Sequence, residues 1–350
     1  MPIKVLIVDD SAVMRGLLTE LIGAAPDIKV VGAAPDPLSA RELIKELNPD
    51  VLTLDVEMPR MDGLEFLRRL MRLRPMPVVM VSSLTDRSTA TALQALELGA
   101  VDVVGKPQAS SAAQLQAYGE EIREKIRAAH AARLQGASSA PSARSAAAPG
   151  GDELPASVLN RRVVAIGAST GGTEAIKQVL CGLPEAMPPI VMVQHMPETF
   201  TQSFAQRLDS LSRLKVVHAE GGEQLRPGHA YLAPGHSHMR IKRQGGRYVT
   251  QLSQEPPVNR HRPSVDVLFS SVAQEVGADA VGIMLTGMGR DGAAGMLEMR
   301  KAGAWNIGQD QASCVVYGMP RAAAEVGAID EAVALTSVAG RLMERLRKDG

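Results

Sequence analysis

The feature that most constrains the fold is an alternation of short apolar runs with amphipathic stretches. In residues 1–125, five apolar runs predict strands at Val5–Val8, Lys29–Val31, Val51–Leu54, Val78–Val81 and Asp102–Val104. Helical patterns such as Arg41–Leu47 and Leu64–Leu73 lie between them. This alternation predicts a parallel sheet with helices on both faces, in which ligands bind beyond the carboxyl ends of the strands.

The same alternation returns in residues 158–350. Further strands are predicted at Val163–Ile166, Ile190–Val193, Lys215–Val217, Ala280–Leu285 and Trp305–Ile307. Tyr231–Leu232 and a hairpin-like pair around Gly245-Gly246 predict some antiparallel structure in addition. The predicted fold class is α/β, with two doubly wound parallel-sheet domains.

Residues 126–157 are predicted to contain the end of a helix and then a flexible linker. The helical pattern covers Gln114 to Leu134. From Gly136 to Gly151, fifteen of sixteen residues are Ala, Ser, Pro or Gly. Such a segment cannot bury enough apolar surface to offset its ordering entropy, so we expect a tether between the domains.

Composition excludes several classes of function. The formal net charge of the 350 residues is zero, and no helix-turn-helix pattern is evident, so we expect no nucleic-acid partner. No apolar run approaches the ~20 residues of a membrane span, which argues against membrane insertion. A strand pattern starts at Ile3, leaving no room for a signal peptide. Two cysteines are too few for a disulfide framework. We expect a soluble, cytoplasmic protein.

Polar residues follow the predicted strands of the first domain at their carboxyl ends. They are Asp9, Asp10, Asp55, Ser82, Ser83 and Lys106. Three converging carboxylates repel each other unless a cation joins them, and oxygen ligands suit Mg²⁺. A lysine and a small hydroxyl would complete a cradle for a phosphoryl group. The alternative, that Asp9 and Asp10 only cap a helix starting near Ser11, leaves the other residues unexplained.

These residues resemble the receiver domain of bacterial response regulators. The matching motifs are Asp9-Asp10, Leu54-Asp55-Val56-Glu57-Met58-Pro59, Met61-Asp62-Gly63 and Lys106-Pro107. The resemblance implies a flavodoxin-like domain over residues 1–125, with Asp55 as phospho-acceptor. It also implies Mg²⁺ held by Asp9, Asp10, Asp55 and the Glu57 carbonyl, with Ser82 as the switching hydroxyl and Lys106 on the phosphoryl group. Many receivers carry an aromatic switch residue where this chain has Val103, so ring rotation is not expected here.

In the second domain, a serine, a histidine and an aspartate each follow a different predicted strand. Ser169 lies in the spacing Gly167-x-Ser169-x-Gly171, which is typical of a nucleophile elbow, a strained turn that exposes the hydroxyl. His195 and Asp291 follow two other strands. A serine needs a base to remove its proton, and a histidine oriented by a carboxylate supplies one. Each residue alone has a simpler interpretation. Ser169 could lie in an anion-binding turn or a plain glycine turn, His195 could be a structural histidine, and Asp291 could only stabilise a turn.

Other site types fit the sequence less well. The turn at Ser169 lacks both the dinucleotide fingerprint and the P-loop Gly-Lys-Ser/Thr. His236 and His238 could begin a metal site, but no Asp, Glu or Cys at ligand spacing accompanies them. Asn259, Arg260, His261 and Arg262 are predicted to form a basic surface loop that could meet an acidic partner.

The second domain resembles the catalytic domain of the CheB family of chemotaxis protein-glutamate methylesterases. The matching motifs are Gly167-Ala168-Ser169-Thr170-Gly171-Gly172, Gln194-His195-Met196-Pro197, His261-Arg262-Pro263-Ser264-Val265-Asp266, Thr286-Gly287-Met288-Gly289-Arg290-Asp291-Gly292 and Ala312-Ser313-Cys314-Val315-Val316-Tyr317-Gly318-Met319-Pro320. The resemblance implies a Rossmann-like methylesterase domain with a Ser169, His195 and Asp291 triad. It also implies the Met288 backbone N–H as an oxyanion donor, and no cofactor in the esterase site.

The two resemblances together imply a phosphorylation-activated serine hydrolase. Its substrates would be γ-glutamyl methyl esters and glutamines on the cytoplasmic domains of methyl-accepting chemoreceptors. Its phosphodonor would be the histidine kinase of the chemotaxis array. We expect the unphosphorylated receiver to block the Ser169 crevice. The rival hypothesis is a receiver joined to a binding module whose Ser169 loop holds an anion and breaks no bond.

Overall fold

A computed structural model of the chain describes residues 1–58, 62–83, 85–107, 111–132 and 154–348, with residues 86–88 described by their backbone only. The chain divides into two compact units, Met1–Ala140 and Pro141–Gly350. Each unit is built around its own parallel sheet.

The first unit contains five strands and five helices in strict alternation. These are β1 (Ile3–Val8), α1 (Ala12–Gly23), β2 (Ile28–Ala34), α2 (Pro37–Leu47), β3 (Val51–Asp55), α3 (Gly63–Leu73), β4 (Val78–Ser82), α4 (Asp86–Glu97), β5 (Asp102–Gly105) and α5 (Ala112–Ala131). All pairs are parallel and the strand order is β2-β1-β3-β4-β5. The carboxyl ends of β1, β3, β4 and β5 therefore lie along one edge, as the sequence predicts.

Local sequence explains why the helices of this unit begin where they do. Ser11, Asp36 and Asp62 precede α1, α2 and α3, and the side chain of each accepts a hydrogen bond from a first-turn backbone N–H. Such caps satisfy donors that the helix leaves unpaired. Ser11, rather than Asp9 or Asp10, caps α1. Asp9 and Asp10 are therefore not needed as the caps of this helix.

The second unit contains a seven-stranded sheet, a two-stranded hairpin and seven α-helices within the described residues. Its elements are α6 (Ala156–Arg161), β6 (Val163–Ala168), α7 (Gly172–Cys181), β7 (Ile190–Gln194), α8 (Glu198–Leu211), β8 (Lys215–His218), β9 (His229–Leu232), β10 (His238–Gln244), β11 (Arg247–Ser253), α9 (Val265–Glu275), β12 (Ala280–Met284), α10 (Ala293–Lys301), β13 (Trp305–Gln309), α11 (Met319–Glu325), β14 (Glu331–Val333) and α12 (Leu335–Lys348).

The seven-stranded sheet is parallel throughout, in the order β14-β13-β12-β6-β7-β9-β8. The prediction that Tyr231–Leu232 is antiparallel was wrong, because these residues form β9, which pairs in parallel with both β7 and β8. The hairpin prediction was right: β10 and β11 are antiparallel around Gly245 and Gly246, both at positive φ. Strand β14 has only three residues and was not predicted.

Two predictions concern the segment between the units. Helix α5 continues past residue 125 to Ala131, so the predicted end of the first domain falls inside a helix. The predicted linker from Gly136 to Gly151 lies outside the described residues. Among the helices that the structure describes, none combines the length and apolarity required to cross a bilayer.

Candidate active site and phosphorylation site

Ser169 lies directly after β6, at the carboxyl edge of the second sheet. Its backbone N–H donates to the Thr286 carbonyl at 3.0 Å, which ties it to the end of the neighbouring strand β12. The Ser169 carbonyl accepts from the Gly172 N–H at 2.7 Å, which closes the turn into α7. Ser169 is 7% exposed.

The turn differs from the predicted strained elbow. The left-handed residue is Gly171, with φ of 76°, whereas Ser169 is not among the residues with positive φ. A Cβ on Gly171 would lie 2.6 Å from the Cβ of Val315. Gly171 is thus required both by its backbone conformation and by this close approach.

His195 lies beside Ser169 because β6 and β7 are adjacent and parallel. Ala168 pairs with Gln194, and the next residue, His195, donates its backbone N–H to the Ala168 carbonyl at 3.1 Å. The Gln194 side-chain amide donates to the carbonyls of both Ser169, at 2.9 Å, and His195, at 3.0 Å. Gln194 therefore links the segment that carries Ser169 to the segment that carries His195. The sequence analysis did not predict this role.

Asp291 approaches His195 from the loop after β12. Its Oδ2 lies 2.9 Å from Nε2 of His195, and both side chains are buried. Burial alone would raise the pKa of Asp291, but hydrogen bonds from His195, Asn259 and Ser264 hold this pKa well below its usual range. The ionised carboxylate requires a proton on Nε2. A neutral His195 therefore carries its lone pair on Nδ1, a buried atom without a hydrogen-bond partner among the described residues.

The start of helix α9 supplies most of the remaining contacts to Asp291. Oδ2 accepts from the Val265 N–H at 2.6 Å, and Oδ1 accepts from the Ser264 hydroxyl at 2.7 Å. Asn259 donates from Nδ2 to Oδ1 of Asp291 at 2.8 Å and to Asp266 Oδ2 at 2.7 Å. A helix N-terminus favours negative charge. The carboxylate is therefore held ionised and in one orientation.

Asn259, Arg260, His261 and Arg262 were predicted to form a basic surface loop. They belong to residues 258–264, which we call the 258–264 loop. Asn259 is exposed but also contacts Asp291, and the ring of His261 stacks on the ring of His195, with centroids 3.8 Å apart and planes inclined by 12°. Arg260 and Arg262 are exposed. The motif that begins at His261 marked this segment in the sequence. It did not predict the contact of Asn259 with Asp291 or the stacking of His261 on His195.

The backbone at Gly287 and Met288 passes against Ser169. A Cβ on Gly287 would lie 2.8 Å from the Ser169 Cβ. The Gly287 carbonyl accepts from the N–H groups of Gly318, at 3.1 Å, and Met319, at 2.8 Å. These bonds fix the peptide whose N–H belongs to Met288 close to the candidate nucleophile.

His238, considered above as a metal ligand with His236, has another role. Its Nδ1 accepts from the Ser264 N–H and its Nε2 bonds to the Pro256 carbonyl, both at 3.1 Å. Both ring nitrogens are occupied, so neither can serve as a ligand without breaking a bond. His238 anchors the 258–264 loop to strand β10.

In the first unit, the predicted carboxylate cluster forms at the ends of β1 and β3. Oxygens of Asp9, Asp10 and Asp55 lie within 4.8 Å of one another. Asp9 and Asp55 are each 1% exposed, whereas Asp10 is exposed. Asp9 Oδ2 is buried, and the ammonium of Lys106 lies 3.1 Å from it. These hard oxygen donors form a cluster typical of a Mg²⁺ site.

Lys106 and Ser82 complete the neighbourhood of Asp55. Lys106 Nζ lies 2.7 Å from Asp55 Oδ2 and 3.1 Å from Asp9 Oδ2. Burial raises the pKa of Asp55 to about 6, while Lys106 acts in the opposite direction. Ser82 is buried at the end of β4, and its carbonyl accepts from the Lys106 N–H at 2.7 Å. Val103 is buried in β5.

Comparison with known proteins now decides the family. The family model described as CheB methylesterase matches residues 164–342, and the one described as response regulator receiver domain matches residues 5–117. The protein-glutamate methylesterase/protein-glutamine glutaminase of Nitrosomonas europaea is 59% identical over 98% of this chain and 96% of its own length. The chain belongs to the CheB methylesterase family.

Further relatives agree with this membership. The protein-glutamate methylesterase/protein-glutamine glutaminase 1 of Dechloromonas aromatica is 58% identical over 98% of the chain and 99% of its own length. The crystal structure of the Thermotoga maritima CheB methylesterase catalytic domain is 39% identical, covers 53% of this chain and 98% of its own, and has a TM-score of 0.52. The family resemblance and the two-domain α/β fold expected from the sequence are confirmed.

Proposed function

We propose that this CheB-family enzyme demethylates glutamate γ-methyl esters and deamidates glutamines on the cytoplasmic domains of methyl-accepting chemoreceptors, which produces adaptation in bacterial chemotaxis. The observation that carries the proposal is the His195–Asp291 pair, held next to Ser169 at the ends of neighbouring strands. Family membership supplies the chemical class of the substrate.

The residues can perform the reaction in two steps. The Ser169 oxygen attacks the ester carbonyl carbon while Nδ1 of His195 accepts the hydroxyl proton, and Asp291 stabilises the resulting imidazolium without accepting that proton. The imidazolium then donates the proton to departing methoxide, which leaves as methanol. Water, deprotonated in the same way, cleaves the acyl-enzyme to a free carboxylate and regenerates the Ser169 hydroxyl.

The negative oxygen of the tetrahedral intermediate requires a hydrogen-bond donor. The Met288 backbone N–H is our candidate, because Gly287 packs directly against Ser169. Removal of one such donor typically lowers kcat by roughly 10²–10³-fold. Ester and amide pass through the same kind of intermediate, so one site serves both demethylation and deamidation, with ammonia leaving in the second case.

Methanol release from methylated receptor is the experiment that tests this function. We expect the wild-type chain to release methanol and Ser169→Ala to release it at least about 10³-fold more slowly. Phosphorylation of Asp55 should be unchanged in that variant. Ser210→Ala, an exposed serine in α8, is the matched control. Binding of receptor without methanol release by the wild-type chain would instead support the anion-binding module.

For the first domain we propose Asp55 as the phospho-acceptor and the histidine kinase of the chemotaxis array as the phosphodonor. Asp9, Asp10, Asp55 and the Glu57 backbone carbonyl would hold Mg²⁺, which neutralises charge on a transferring phosphoryl group. Lys106 would bind a phosphoryl oxygen after transfer, and the Ser82 hydroxyl would move toward it.

We further propose that phosphorylation of Asp55 relieves a block of the Ser169 site by the unphosphorylated receiver. A fragment beginning near residue 155 should therefore be more active than the whole unphosphorylated chain. Equal activities of fragment and whole chain would exclude the blocking mechanism while leaving the esterase assignment intact. Because the substrate sites lie on cytoplasmic receptor domains, we place the reaction in the cytoplasm.

A further inference from the structure

We propose that His261 is a positioning residue for the candidate base, His195, which it holds by ring stacking. This inference rests on the proposed function, in which His195 takes the Ser169 proton. The stack itself is a direct observation: the two rings are nearly parallel, with centroids 3.8 Å apart.

The hydrogen bond to Asp291 does not by itself fix the orientation of the His195 ring. A single contact from Nε2 to Asp291 Oδ2 leaves the ring able to rock about that bond. No hydrogen bond restrains Nδ1 among the described residues. A flat ring on the face of His195 removes this freedom.

Hydrogen bonds within the 258–264 loop fix the position of the His261 ring. Val258 and His261 exchange two backbone hydrogen bonds, of 3.0 and 2.9 Å. The two residues between them, Asn259 and Arg260, have φ of 50° and 68°. A tight turn of this kind fixes His261 relative to Asn259, whose amide contacts Asp291. One short loop thus contacts both members of the His195–Asp291 pair.

Three substitutions in the full-length chain separate stacking from the other roles His261 could have. His261→Phe keeps a flat ring without nitrogens, His261→Gln keeps polarity without a ring, and His261→Ala removes both. If stacking positions His195, kcat for methanol release should fall about 10-fold in the Ala and Gln variants, with KM unchanged. The interaction energy of an aromatic pair corresponds to a factor of up to about ten in rate, and misplacement of a catalytic group can cost more. The Phe variant should stay within about threefold of wild type.

A second readout removes dependence on the receptor. Labelling of Ser169 by a fluorophosphonate reports how strongly the serine is activated, and its rate should follow the same order among the variants. His229→Ala, a half-buried histidine in β9 whose ring stacks on Tyr231, is the matched control and should match wild type. Unchanged thermal unfolding midpoints would show that the variants fold.

The results that overturn the inference are distinct from those that overturn the function. If wild type releases methanol and His261→Ala equals it in kcat and labelling rate, His261 has no positioning role. A Phe variant as slow as Ala would assign the effect to a ring nitrogen, and a rise in KM alone would assign it to substrate binding; either refutes stacking. A wild-type chain that neither releases methanol nor labels at Ser169 refutes the function and this inference together.

Discussion

Nζ of Lys106 lies 2.7 Å from Oδ2 of Asp55, although the two residues are 51 positions apart in the chain. The pair forms because β3, β4 and β5 are neighbours and parallel, which brings the ends of β3 and β5 to one edge of the sheet. Burial nevertheless dominates at Asp55 and raises its pKa to about 6. The ionised form of Asp55 therefore lowers the free energy of unfolding of the receiver domain at neutral pH.

The pKa of Asp55 predicts a pH-dependent gain in stability for Asp55→Asn. In the folded chain the pKa is about 6, against an ordinary value of 3.8. The penalty is therefore fully present above pH 6 and disappears as the pH falls toward 4. We expect Asp55→Asn to raise the free energy of unfolding at pH 8 by up to about 3 kcal/mol, with little gain near pH 4. Urea unfolding at both pH values measures this, and equal gains at both would contradict it.

Asp10 is the exposed member of the carboxylate cluster, so its replacement should affect metal binding more than folding. We expect Asp10→Asn to weaken Mg²⁺ binding by about 10- to 100-fold, because one of three carboxylates that face the ion loses its charge. Isothermal titration with MgCl₂ measures the affinity. Glu46→Gln removes the same charge from an exposed position on α2 and should leave binding unchanged. Equal losses in the two variants would show that only net charge matters.

Gly287 should not tolerate a side chain, because its backbone lies against Ser169. A Cβ there would be 2.4 Å from the Met319 Sδ and 2.8 Å from the Ser169 Cβ. We expect Gly287→Ala to lower kcat by about 100-fold through displacement of Ser169 or of the Met288 N–H. Gly340→Ala is the control in the same unit, since a Cβ there meets nothing within 4 Å in helix α12. That control should be neutral or stabilising by about 0.5–1 kcal/mol, and an active Gly287→Ala would refute the close approach.

Asn259 donates hydrogen bonds to two carboxylates, those of Asp266 and Asp291, and two variants test this role. Burial, followed by the charge of Asp291, raises the pKa of Asp266, while a hydrogen bond from Gly295 lowers it. Asn259→Gly keeps the positive φ and removes the amide, and we expect an activity loss of about 10-fold. Asn259→Asp places a third carboxylate beside the pair, so its loss should be larger near neutral pH and smaller at acid pH. Methanol release across pH measures both, and identical pH profiles would contradict the electrostatic account.

Most of the fold could be predicted from sequence because short, β-branched runs identify buried parallel strands without knowledge of their neighbours. The strand Tyr231–Leu232 was misassigned, since an apolar run carries no information about the direction of its partner. Strand β14 was missed because three residues, Glu331–Val333, show no periodicity. Ser169, His195 and Asp291 were found as candidates because each directly follows, or lies a few residues beyond, a recognisable strand.

The sequence by itself determined the family, the α/β class and the candidate side chains for the chemistry, because motif spacing and strand-end position are local properties of the chain. Only the tertiary structure decided which nitrogen of His195 faces Asp291, that Gln194 joins the Ser169 and His195 segments, and that His261 stacks on His195. These contacts join segments that are far apart in the chain. They depend on strand order and on the conformation of the 258–264 loop, which no local pattern encodes.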